Sequence, residues 1–176
     1  MEQNELLQRQ CKMLSCLSGL PRRMLGLHGA DNVTEFVLYD LCQKDCFNLT
    51  KAAYFVDNPD FNCTKGVAGF SREERGDSCN IWENPHGFSS EMQGSQFNNK
   101  VRSVASCSLK KGGNLHDELA KNIARDLDFK NYAYCTWNMK HDNHGFVLYE
   151  KADAHDAFAD EHLLNGLSLL SYCPIF

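Results

Sequence analysis

The stretch WNMKHDNHGFVLYEKADAH, residues 137–155, gathers three histidines and several carboxylates in one short span. Zinc takes three or four N, S or O ligands at about 2 Å. His141, His144, His155 and Asp156 are the candidate set here. No HExxH or comparable motif organises them. The competing reading is a hairpin turn. Asp142, Asn143 and Gly145 suit a left-handed backbone, which leaves His141 and His144 as wet imidazoles at the tip. Strand side chains alternate faces, so the two histidines share one only if the turn folds them together. Turn chemistry accounts for this stretch better than a metal does.

A thiol is the second source of chemistry. Cys107, in VASCSLKKGG, is followed by Lys110, Lys111 and two glycines. Nearby cations lower a thiol pKa, and open glycine N–H groups can receive an anion. His116 is the nearest base in sequence, at a helix start that would keep its imidazole neutral. Cys107 and His116 are therefore the candidate catalytic pair, although nothing in their spacing compels it. Cys42 and Cys46, like Cys11 and Cys16, lack the spacing of a zinc knuckle and read as small buried hydrophobes. For ligand binding the candidates are His86 and Trp82, carried on a polar span, together with Lys110 and Lys111.

Composition bounds what these groups could serve. A chain of 176 residues that is 43% hydrophobic can build a core. It has no run of roughly 18 apolar residues, so no membrane partner is expected. The net charge is -5, and the only basic clusters are Arg22-Arg23 and Lys110-Lys111, which argues against nucleic acid. The nine cysteines are an odd number, and the first twenty residues resemble an amphipathic helix and not a signal peptide. Reduced thiols and a cytoplasmic location are expected, with no cofactor.

The positioning elements follow from periodicity. Residues 4–18 read as a helix with Leu7, Cys11, Leu14 and Leu17 on one face, ended by Gly19 and Pro21. Asn32 and Glu35 resemble a capping box opening a helix over 32–42, although FVLYDL also suits a strand. Strands are expected at 51–57, 66–71 and 100–109, with a weak one near Ile81-Trp82 inside a long irregular loop, 72–99. Leu115, Leu119, Ile123 and Leu127 mark a helix over 114–129. Strands at 131–139 and 145–150 flank KHDNH, and a last helix spans 152–164. The apolar tail GLSLLSYCPIF needs cover, as a strand or against a partner.

Helix, strand, strand thus occurs twice, as a doubled αββ unit would give. The expected fold is α+β, with a largely antiparallel or mixed sheet and helices packed on one face. Residues 1–176 are expected to form a single domain, with 1–20 as an N-terminal amphipathic helix. The expected function is a soluble ligand- or protein-binding module, self-associating through the N-terminal helix or the C-terminal tail. The alternative is a small hydrolase or transferase using a His/acidic site, with or without metal, or Cys107.

Overall fold

The structure is a computed structural model that describes residues 2–27, 29–75, 80–108, 115–153 and 160–174. Its centre is a five-stranded sheet of β1 (Leu49–Asn58), β2 (Cys63–Ser71), β3 (Ala105–Ser106), β4 (Tyr132–Asn138) and β5 (His144–Lys151). The order is β3-β2-β1-β5-β4, and every pairing is antiparallel. The run Ala52-Ala53-Tyr54-Phe55 is fully buried, as a central strand covered on both faces must be. Ala52 and Tyr54 point to one face, Ala53 and Phe55 to the other.

Helices α1 (Glu2–Gly26), α2 (Val33–Cys42), α3 (Pro85–Gly94) and α6 (Asp160–Ser168) contribute to the core on the first face. There Leu20, Phe36, Leu41, Phe88 and Leu163 meet Tyr54, Phe70 and Val147. The fold is therefore α+β, an antiparallel sheet with its main layer of helices packed on one face. A smaller cluster covers the second face, where α4 (Gln96–Ser103) and α5 (Leu115–Asp126) set Phe97, Val101 and Ile123 over Phe55, Phe146 and Leu148. The two helix–strand–strand runs, α2-β1-β2 and α5-β4-β5, meet at the β1–β5 pairing. Among the described residues no helix is long and apolar enough to cross a membrane.

Several elements differ from expectation. Helix α1 passes Gly19 and Pro21 and runs to Gly26. A proline deletes one backbone donor, while burial of Leu20 and the ion pair of Arg23 with Asp40 hold the turns around it. Asn32 stands at the N-cap of α2 without a side-chain cap bond. Glu35 instead turns inward, where Asn98 donates to it (3.4 Å) and Arg102 pairs with it (3.5 Å).

The span 72–99 is not irregular throughout. It holds a 3-10 turn (Arg72–Glu74), helix α3 and the first part of α4. Local caps start both helices: the Asn84 side chain accepts from Gly87 N, and Ser95 Oγ accepts from Asn98 N. Ile81-Trp82 is a turn, and the strand expected over 100–109 shrinks to Ala105–Ser106 behind α4. Helix α4 lies across β2 because that strand carries glycines at the crossing. A Cβ on Gly66 would come within 1.8 Å of the Val101 carbonyl oxygen. The final helix is described over Asp160–Ser168, and Ala152, expected at its start, instead donates its N–H to the Asn48 carbonyl. The expected helical residues 154–159 lie outside the described residues. A 3-10 turn, Leu169–Tyr172, follows α6, so the tail up to residue 174 is not a strand.

Candidate functional site

Charged and aromatic side chains gather where α1, α2 and the end of β2 meet. Asp40, on the last turn of α2, is buried. Its carboxylate accepts from Arg23 Nε (3.0 Å) and Trp82 Nε1 (3.2 Å), with Arg23 Nη2 at 2.8 Å. Loss of water around Asp40 pushes its carboxyl above the ordinary range, opposed by Arg23 and by the hydrogen bonds. The Arg23 guanidinium also lies 5.4 Å from the Trp82 ring centroid.

Two further arginines come from the chain just after β2. Arg72 donates to the Cys42 carbonyl and to Asn48 Oδ1 (3.1 Å), tying the end of β2 to the end of α2. Arg75 stacks over Tyr39 (4.7 Å) and Phe88 (5.0 Å) and pairs with Glu91 at 3.2 Å. Burial raises the Tyr39 phenol pKa, against the opposing pull of Arg75. Glu74 turns the other way and accepts from Ser95 Oγ (2.6 Å) and Phe97 N (2.8 Å), anchoring the start of α4.

These groups enclose a cavity of about 1110 Å³ lined by Arg23, Tyr39, Asp40, Arg72, Arg75 and Trp82 among others. A second hollow of about 480 Å³, bounded by Glu74, Glu91 and Met92, shares Phe70 and Arg75 with it. Sites for small molecules commonly occupy about 300–1,000 Å³. Planar guanidiniums offer forked donors to carboxylate or phosphate, and aromatic faces offer stacking. Cys16 also stands on the wall. Its thiol pKa is lowered, chiefly by a hydrogen bond with Cys46, whose own pKa is pushed up.

Of the residues singled out in the sequence, Trp82 stands on this cavity. His86 is exposed on the first turn of α3, and its carbonyl accepts from Ser90 Oγ. Cys107 is exposed just after β3, and its carbonyl accepts from Thr64 Oγ1 (3.2 Å). Lys110, Lys111, His155 and Asp156 lie outside the described residues, as does the side chain of His116.

Between β4 and β5 the chain makes a 3-10 turn, Lys140–Asp142, with His141 at φ +59° and Asp142 at φ +55°. His141 is exposed at the tip, and His144 opens β5 opposite Asp57 and Asn138. Among the described residues no three His, Cys, Asp or Glu side chains are grouped to hold a metal. Arg23, Tyr39, Asp40, Arg72 and Arg75 were not singled out in the sequence as site residues. The signals available were the basic pair Arg22-Arg23 and the charged run Arg72-Glu73-Glu74-Arg75. Neither has a spacing that reveals a shared site.

The architecture is similar in fold to that of a GAF domain. The GAF domain from a phosphoenolpyruvate-protein phosphotransferase (ptsP) of Coxiella burnetii superposes with a TM-score of 0.53 at 12% identity, covering 93% of this chain and 92% of that one. That likeness is one of fold. SdiA in complex with octanoyl-rac-glycerol matches with a TM-score of 0.40 at 14% identity, over 88% of this chain and 63% of that one. No protein-family model and no curated protein matches the chain.

Proposed function

We propose that this chain is a ligand-binding module of the cytoplasm, forming one domain, whose site is the cavity between α1, α2 and the turn after β2. The ligand class it suits is a small molecule with a flat ring and an anionic group. The observation that carries this reading is the shared wall of Arg23, Arg72 and Arg75 with Tyr39 and Trp82 around about 1110 Å³. A ring stacks on the aromatic side chains, and an anion takes the guanidinium donors. A second copy of the chain, held through α1 or the C-terminal tail, is the partner this reading includes.

The test is a calorimetric and Trp-fluorescence titration against a panel of aromatic carboxylates and nucleotides. The expected result is one-to-one binding by a member of the panel, weakened at least about tenfold by Arg75→Ala and by Trp82→Ala. A binder whose affinity neither substitution changes would place its site elsewhere and overturn the proposal.

A further inference from the structure

Helix α1 has a largely apolar stripe that its own core does not use. Leu7, Cys11, Leu14, Ser18, Pro21 and Leu25 follow one another at spacings of 4, 3, 4, 3 and 4 residues. All six are exposed, and the leucines show 59%, 49% and 75% of their surface. The side of α1 turned to the core carries Met13 and Leu20, with Leu27 just beyond its end. At 100° per residue the stripe lies about 130° around the helix from that side, so it points away from the body.

Alternating steps of three and four are the seam of a two-helix coiled coil. We propose that this stripe is the contact between two copies of the chain, with the two α1 helices parallel and in register. This deepens the self-association proposed above and does not depend on ligand binding.

Three observations favour a second copy as the occupant. Parallel pairing sets each leucine on its own symmetry mate, with the small Cys11 and Ser18 layers between. The positions flanking the stripe carry one charge, Arg22, so no charge pattern there selects a foreign partner. Among the described residues, six of the eight exposed large hydrophobic side chains, Leu6, Leu7, Leu14, Leu25, Leu164 and Tyr172, belong to α1 or to the C-terminal segment. The stripe, with the apolar groove beside Pro21 and Leu25 that Tyr172 helps to line, continues onto that segment. Together they offer on the order of 500 Å² per protomer, against about 800 Å² for a standard interface. An interface of that size belongs with weak, transient complexes.

Sedimentation equilibrium on the full chain, from about 1 to 100 µM, tests this directly. The expected result is a monomer–dimer equilibrium whose Kd rises at least about a hundredfold in L7E/L14E. The control Phe61→Glu, another exposed apolar site, is expected to leave it unchanged. A short bismaleimide is expected to trap a covalent dimer that Cys11→Ser abolishes. The gentler pair L7Q/L14Q, with a melting curve for each variant, separates lost association from lost folding. A wild-type chain that stays monomeric at 100 µM overturns the proposal. So does a dimer that survives both leucine pairs, or a cross-link that survives Cys11→Ser.

Discussion

Replacing Arg23 with Met isolates the interaction that ties α1 to the wall of the cavity. The change keeps an apolar stem and removes both guanidinium contacts to Asp40, at 3.0 and 2.8 Å. The Asp40 side chain is 9% exposed, so water cannot replace those donors freely, and Trp82 Nε1 is the neutral donor left to it. A hydrogen bond to a charged group contributes about 1.5–3 kcal/mol. The Arg23 side chain is 32% exposed beside an open cavity, which moves the expectation to about 2 kcal/mol for the whole substitution. For a chain of this size that is a fall in Tm of roughly 4–8 °C.

A double-mutant cycle with Asp40→Asn gives the sharper reading. Asn keeps an acceptor for Trp82 and removes the charge that needs Arg23. Arg23→Met should therefore be much less damaging in that background, with a coupling of about 1 kcal/mol or more by urea denaturation. The cost of Arg23→Met should also shrink on acidification, because Asp40, already raised by burial, takes up its proton early. A coupling near zero would show that the pair behaves as a solvated surface contact, and the claim that it organises the cavity would fail.

Two further outcomes follow from burial elsewhere. Gly66→Ala is expected to cost at least about 1–3 kcal/mol, read by thermal denaturation, because its Cβ meets backbone of α4 and no side chain can rotate away; an unchanged Tm would refute the tight crossing of α4 over β2. Glu35, 2% exposed, has its carboxyl raised above the ordinary 4.5, first by desolvation and against Arg102 and Asn98. The native state then holds more protons than the unfolded one above pH 4.5, so this group's contribution falls as pH rises through that window. Glu35→Gln should flatten the decline in stability as pH rises above 4.5, and an identical profile in both proteins would count against the buried ionisation.

Much of the fold was legible locally. The stripe Leu119, Ile123 and Leu127 marks the amphipathic α5, and the four-residue apolar run of β1 reads as a strand from composition alone. The turn at KHDNH was legible as a turn, but of Asp142, Asn143 and Gly145 only Asp142 takes the left-handed backbone expected there, and His141 shares it. Helices α3 and α4 were hidden in a polar span. Each has few buried residues, Phe88 and Met92 in one and Phe97, Asn98 and Val101 in the other, so the periodic signal is short. The extension of α1 past Pro21 was illegible because its cause, the burial of Leu20 and the pairing with Asp40, is tertiary.

The sequence by itself determined the class of fold, the two strands that flank KHDNH, and an amphipathic first helix. Each of these rests on neighbours within a few residues along the chain. Only the tertiary structure decided where the candidate site lies. Arg23, Asp40, Arg75 and Trp82 come from four separate stretches, and what joins them is the burial of one carboxylate among donors that no sequence spacing brings together.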